Sequence, residues 1–164
     1  TSKGAQLLED RIIYHDYDNS GNPLEVSKAE GTHTTYIWGY NKTQPLAKIE
    51  NSTYAQVQGQ VGNLQSLSNA DDDRTTDIIN SNGSITYMGS EGSLRQALNN
   101  LRTSLSDAQV TSYTYDPLIG VTSVTDPRGR TVYYDYDDFN RLERIIDQEG
   151  NVVEDYDYHY QNED

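Results

Sequence analysis

The chain has no cysteine, and phenylalanine, tryptophan and methionine occur once each in its 164 residues. Without cysteine there are no disulfides, thiolate metal sites or thiol nucleophiles. With an apolar share of only 34%, little material is left for a conventional aliphatic core. Basic residues are also scarce: 12 Lys and Arg against 26 Asp and Glu give a formal charge of −14. Nucleic acid and anionic lipid are bound by basic side chains that displace counterions, so this balance argues against both as partners. No run of 18 apolar residues occurs, so no segment reads as a membrane-spanning helix. The sequence opens Thr1-Ser2-Lys3-Gly4 without Met or a signal peptide and reads as a fragment of something longer.

Tyrosine is the abundant residue, with 14 copies. Disordered polar chains are poor in aromatics. Here tyrosine supplies the buriable groups, each an apolar ring with a polar tip suited to a half-wet sheet. The tyrosines are periodic. Tyr113-Thr114-Tyr115-Asp116 is followed by Val121, Val124, Asp126 and Gly129, and Tyr134-Asp135-Tyr136-Asp137 by Leu142, Ile145, Asp147 and Gly150. Counted from Tyr115 and Tyr136, both sets fall at +6, +9, +11 and +14. A further copy begins at Tyr156-Asp157-Tyr158, and two degenerate ones lie at His15-Asp16-Tyr17-Asp18, leading to Gly31, and at Trp38-Gly39-Tyr40-Asn41. The repeat tyrosines Tyr17, Tyr40, Tyr115, Tyr136 and Tyr158 are spaced 23, 75, 21 and 22 residues apart.

Alternation such as Thr131-Val132-Tyr133-Tyr134-Asp135-Tyr136 suits a strand with aromatics on one face. The Asp- and Gly-bearing segments 18–22, 126–129 and 147–151 are turn sequences, in which Gly permits positive φ and Asp bonds its own backbone. Each repeat therefore predicts a β-hairpin, and successive hairpins must pair edge to edge because a lone hairpin is marginal in water. The predicted fold is mainly β: antiparallel hairpins in a twisted sheet, with an α-helical hairpin inserted where the period lapses. The boundaries expected are hairpins over 1–51, the insert over 52–110, and hairpins to the end over 111–164, all one compact unit. Within the insert, Leu94, Leu98, Leu101 and Leu105 predict a helix over Ser90 to Val110, capped by Ser90 or Ser93. Its polar face carries Arg95, Gln96, Asn99, Asn100 and Arg102. Val57, Val61 and Leu64 predict a second helix over Tyr54 to Leu67, weakened by Gly59 and Gly62. Asp71-Asp72-Asp73 reads as the solvated start of a short helical turn running to Ile79. The insert is expected to cover an apolar face or an edge strand of the sheet, with partner binding as the alternative.

The Tyr-x-Tyr-Asp, Leu-x-x-Ile, Asp-x-x-Gly cadence resembles the YD/RHS-repeat family over residues 12–51 and 111–160. Tyr36 to Pro45, Tyr113 to Ser123 and Tyr158-His159-Tyr160 look like the C-terminal portion of large RHS-repeat proteins. The resemblance implies a non-enzymatic module of a large secreted scaffold on the bacterial surface, with residue 164 near the natural terminus and upstream repeats of the same polypeptide as partners. It also implies, as an alternative, a C-terminal address recognised by a type IX-like export or anchoring protein of the outer membrane.

Candidate chemistry is sparse. Asp16, Asp18, Ser20 and Gly21 resemble the opening of a calcium-binding loop, but its twelfth position is Ser27 where a Glu is required. The competing reading is an ordinary Asp-rich turn. Trp38 and Tyr40, with Asp and Asn nearby, are candidates for stacking on sugar rings in an adhesin, against a purely structural aromatic stripe. His15, His33 and His159 are scattered without ligand spacing. Asp116-Pro117 and Asp126-Pro127 resemble the aspartyl self-cleavage motif of some RHS toxins but sit at regular repeat positions. Catalytic and cofactor-binding residues are therefore assigned to none.

Overall fold

The computed structural model describes residues 11–158. In chain order its elements are β1 (Ile12–Tyr17), β2 (Pro23–Lys28), β3 (His33–Gly39), β4 (Gln44–Glu50), α1 (Tyr54–Asn69), β5 (Ile78–Ile79), β6 (Ile85–Thr86), α2 (Gly89–Ser104), β7 (Gln109–Asp116), β8 (Gly120–Thr125), β9 (Thr131–Tyr136), β10 (Leu142–Asp147) and β11 (Val152–Asp155). Nine of the strands form one sheet in the order β1-β2-β3-β4-β7-β8-β9-β10-β11, and every neighbouring pair is antiparallel. The sheet is thus a plain meander. The insert leaves it after β4 and returns at β7, and those two strands pair directly, with Ala47 opposite Ser112 and Ile49 opposite Val110. Helices and the two-residue strands β5 and β6 are looped out without breaking the ladder.

Four hairpin turns are built alike. Asp18, Asp126, Asp137 and Asp147 each accept, on the carbonyl, the N–H three residues ahead, and donate their own N–H to the carbonyl four residues ahead. One carboxylate oxygen of each also accepts the N–H groups two and four residues ahead, at 2.8 to 3.0 Å. The residue three past each Asp has positive φ: Gly21 84°, Gly129 85°, Asn140 59° and Gly150 87°. The Asp of the repeat is therefore a turn former, and the glycine (or Asn140) supplies the left-handed step. Gly31 closes the β2–β3 turn in the same way through its N–H on the Lys28 carbonyl, without the carboxylate.

The apolar core lies on one face of the middle of the sheet. Ile37, Leu46, Ile49 and Val110 meet Val57, Val61 and Leu64 of α1 and Leu94, Leu98 and Leu101 of α2. Burying a side chain of this size contributes about 1.5–3 kcal/mol. α1 begins with Gln56 accepting the Thr53 N–H at 2.9 Å, half of a capping box. Gly59 and Gly62 have open space where a Cβ would stand, so they cost helix propensity but no packing.

The insert departs from the sequence reading in three places. α2 starts at Gly89 behind Met88, with no side-chain cap, and ends at Ser104; Val110 is instead a core residue of β7, recruited by its pairing with Ile49. Segment 71–77 is not helical and leads into β5, because its carboxylates are drawn to the N-terminus of α2. Of the two places the insert was expected to cover, the helices take the apolar face of the sheet; β1 and β11 are the outer strands and both are exposed along their length. Finally, α2 does not turn Arg95 and Arg102 to solvent; both are buried, at 4% and 9% exposure.

Candidate functional site

The buried arginines mark the most concentrated polar chemistry of the described residues, at the seam between insert and sheet. Beyond the apolar core the same sheet face turns to hydroxyls: Ser112, Thr114, Thr122, Ser123 and Thr125 are all buried. A helix docking there needs polar side chains on its inner face. Glu91, only 1% exposed, accepts from the hydroxyls of Thr114 and Thr122 on Oε1 and from the Thr75 N–H on Oε2 at 2.8 Å. Arg95 grips Asp77 with two nitrogens, Nε at 2.7 Å and Nη2 at 2.9 Å, and its Nη2 also donates to Thr75 Oγ1. Its Nη1 lies 3.2 Å from Glu91 Oε1 as an ion pair, without a hydrogen-bonded acceptor. The guanidinium stacks 5.2 Å from the centre of the Tyr133 ring, a favourable cation–π placement. Burial opposes the charge on Arg95, yet the bond to Asp77 and the charges of Glu91 and Asp77 outweigh it and raise its pKa. Arg102 bonds only neutral acceptors, among them the Val110 carbonyl at 3.2 Å and Ser112 Oγ at 2.7 Å, and burial lowers its pKa.

The acidic linker belongs to this seam. Asp73 accepts the N–H groups of Ser90 and Glu91 at 2.8 and 2.9 Å, so it caps α2 from outside the helix. Burial pulls its pKa up, and those bonds outweigh the pull and lower it. Asp77 accepts the Met88 N–H at 3.0 Å. Asp71 accepts the Tyr40 hydroxyl at 2.6 Å. Burial pushes the Asp71 carboxyl up to about 6 against that bond, with the charge of Glu91 adding to the push. The run Asp71-Asp72-Asp73 is therefore a set of structural acceptors and not a solvated helix start.

The other sequence-derived candidates scatter. Asp18 spends its carboxylate on its own turn, accepting from Ser20, Asn22 and the Asn22 side chain, while Asp16 accepts the neighbouring Tyr17 N–H. Ser20 contributes its N–H to Asp18. Among the described residues no three His, Cys, Asp or Glu side chains are grouped to hold a metal. Trp38 is half-buried and donates Nε1 to the Pro23 carbonyl at 2.9 Å. Tyr40 is 4% exposed, so its ring is core and not a sugar platform. His15 and His33 stack at 4.6 Å across β2, with His15 on Ser27 and His33 on Glu25; His159 lies outside the described residues. Asp116 and Asp126 stand before and after β8, Asp116 paired with Arg74 at 2.8 Å and Asp126 within its turn, so they share no site. Glu91, Asp77, Thr75 and Tyr133 carried no sequence signal. They become visible only when the Ser and Thr face of β7 and β8 is seen to oppose α2.

The chemistry of this arrangement is cohesive: carboxylates, guanidinium and hydroxyls are spent on one another. The RHS Repeat family model matches residues 120–152, the stretch from β8 through the β10–β11 turn. No curated protein matches the chain. A recurrent tyrosine strand, an Asp-initiated turn and an unbroken hairpin meander meet in that matched segment, and residues 120–152 form an RHS repeat.

Proposed function

We propose that this chain is a non-enzymatic scaffold module of an extracellular, surface-exposed YD/RHS array, continued by further repeats of the same polypeptide. The observation that carries this reading is the ladder of nine strands running unbroken past the insert, with apolar side chains left open at both outer edges. Ile12, Ile13, Tyr14 and Tyr17 on the β1 side and Val152, Val153 and Tyr158 on the β11 side are 42% to 58% exposed. Exposed edges of this kind are templates for another strand. The insert fits a reinforcing role, since its polar groups are consumed by the sheet it covers. The engagement of Trp38 and Tyr40 inside the fold favours a scaffold over a glycan-binding adhesin. Antibodies raised against residues 1–164 are expected to label intact producing cells, and external protease to remove that signal while a cytoplasmic marker survives. Labelling that requires permeabilised cells overturns the proposal. Fusion of the chain to a passive reporter tests the export-address alternative: release to the surface supports it, and retention in the periplasm removes it.

A further inference from the structure

The strands of the sheet are of two kinds. β1, β3, β7, β9 and β11 open a repeat and carry or lead into its tyrosine; β2, β4, β8 and β10 are the second strands of the hairpins. All eight junctions of the sheet join a tyrosine strand to a second strand. Across three of the junctions between successive repeats an aromatic donor reaches the same acceptor. Trp38 Nε1 donates to the Pro23 carbonyl at 2.9 Å, Tyr136 Oη to Val121 at 2.7 Å and Tyr158 Oη to Leu142 at 2.8 Å. Pro23, Val121 and Leu142 each lie six residues past a repeat tyrosine: Tyr17, Tyr115 and Tyr136. At the remaining junction, where the insert intervenes, Tyr40 Oη instead accepts the Tyr115 N–H at 2.9 Å.

β1 presents the same device with no receiver among the described residues. Tyr17 is 52% exposed, stacked on Tyr14 at 5.7 Å, and its hydroxyl has no acceptor among the described residues. The opposite edge, β11, is also a tyrosine strand. Edge pairing between two copies would therefore set tyrosine strand against tyrosine strand, an arrangement found at none of the eight junctions. It would also bring Asp16, Glu154 and Asp155 together on a chain of net charge −14, which like-charge repulsion opposes.

Resting on the scaffold reading above, we infer that the β1 edge is a strand-type-selective docking site. Its occupant is the second strand of a preceding YD hairpin of the same polypeptide, added antiparallel by main-chain pairing. Tyr17 Oη pins the register by donating to the carbonyl six residues past that hairpin's tyrosine. The matching type of both edges keeps separate copies from polymerising.

The alignment of residues 12–17 with residues 131–136 provides a direct test in the full chain. Replacing residues 1–11 with a copy of residues 120–130 puts a second strand and its turn ahead of β1, with the copied Val121 fifteen residues before Tyr17, its distance from Tyr136. The control carries a copy of residues 131–136 followed by 126–130, which offers a tyrosine strand through the same turn. Hydrogen exchange of the amides in β1 is read, with those of β7 to β9 reporting that each variant folds. The second-strand graft is expected to slow β1 exchange about tenfold or more relative to the control, and Tyr17→Phe to take back about fivefold of that gain, the worth of one net hydrogen bond. The parent chain is expected to sediment as a monomer. Equal protection by both grafts overturns the selectivity and leaves the scaffold reading standing. Protection by neither removes the scaffold reading itself. An unchanged gain in Tyr17→Phe overturns the register pin, and association of the parent chain abolished by Ile13→Lys overturns the edge-matching argument.

Discussion

Tyr40 donates its hydroxyl to Asp71 at 2.6 Å, and the same oxygen accepts the N–H of Tyr115 at 2.9 Å. One buried phenol thus joins three parts of the chain that are far apart in sequence: the end of β3, the acidic linker of the insert and the returning strand β7. Its ring meets Tyr115 edge-on at 5.6 Å. Where the insert interrupts the array, the tyrosine of one repeat is tied to the tyrosine of the next.

Tyr40→Phe keeps the ring and removes the bridge. The Tyr115 N–H and the half-buried Asp71 then lose a partner, and leaving buried polar groups unsatisfied costs about 1–3 kcal/mol. Urea denaturation is expected to show a loss of about 2 kcal/mol with an unchanged slope, since the exposed area of the unfolded chain does not alter. A loss below a few tenths would mean that the bridge is incidental to the fold.

Asp71 gives the same site a pH signature. Its folded pKa of about 6 lies above the ordinary 3.8, so the folded state binds the proton more tightly than the unfolded chain. The stability linked to this proton is fully present below pH 3.8 and is lost as pH rises through about 6. The repeat-turn carboxylates of Asp18, Asp137 and Asp147 are lowered instead. For Asp18 and Asp137 the turn hydrogen bonds outweigh an opposing effect of burial; for Asp147 the bond from the Asn151 N–H is itself the largest cause. Their contribution is present above the usual carboxylate value and is lost as pH falls through their folded values. Melting temperatures of wild type and Asp71→Asn, compared from pH 7.5 down to 4.5, are expected to move in favour of wild type. Asp137→Asn, compared with wild type at still lower pH, should show the opposite trend.

Much of this was legible in the sequence, and the reason is the repeat. The spacing from Tyr115 and Tyr136 to Val121, Leu142, Gly129 and Gly150 repeats the same strand, turn and strand, so period alone locates β7 to β10. Leu94, Leu98 and Leu101 likewise revealed α2 through the apolar face they present to the core. The seam was hidden for the converse reason. Periodicity analysis treats Arg95 and Arg102 as the wet face of the helix, and it has no means of knowing that the opposing strands offer Ser112, Thr114 and Thr122. The Asp71-Asp72-Asp73 run was misread for a related reason. Its local pattern fits a helix start, but its carboxylates satisfy the N-terminus of another helix seventeen residues on, at Ser90 and Glu91.

Arg95 sets the scale of that hidden seam. Arg95→Met removes a guanidinium from between Asp77 and Glu91, whose side chains are 6% and 1% exposed. Two buried carboxylates then lose their common partner, and breaking a buried pair in this way costs about 3–5 kcal/mol. Arg130→Ala is the matched surface control, since its pair with Glu149 is 59% and 45% exposed. Such pairs contribute at most about 1 kcal/mol. Chemical denaturation of the two variants side by side is expected to separate them by at least about 2 kcal/mol. Equal losses would show that the cluster is solvated and not part of the packed interior.

The turn residues separate conformational from steric cost. Gly129 has φ of 85°, and the nearest atom to a Cβ built there is Asn99 Oδ1 at an ordinary 3.8 Å. Gly129→Ala therefore meets no obstacle, and its expected loss of about 1–2 kcal/mol is the price of the left-handed backbone alone. At the equivalent Asn140, with φ of 59°, Gly is expected to be neutral or stabilising, whereas Val should cost about 2 kcal/mol. Thermal unfolding of the three variants checks the order.

Gly39 presents the opposite case. It has no positive φ, yet a Cβ there would stand 2.6 Å from Leu46 Cγ and closer still to Ser68 Oγ. Ser68 lies near the end of α1, where its hydroxyl accepts the Tyr40 N–H at 2.9 Å and donates to the Gln65 carbonyl at 2.9 Å. The absent side chain is thus what lets α1 settle against the end of β3 and fix the backbone of Tyr40. Gly39→Ala must push the helix or Leu46 away, and overpacking of this severity costs about 1–3 kcal/mol. If the obstruction is the serine, Ser68→Gly in the Gly39→Ala background should recover part of the loss, although Ser68→Gly alone is destabilising because it strips the Tyr40 N–H of its acceptor. A double-mutant cycle by urea denaturation is therefore expected to give a favourable coupling of about 1 kcal/mol between the two positions. Strict additivity would place the clash on Leu46 and free the α1 contact from any role in seating the insert.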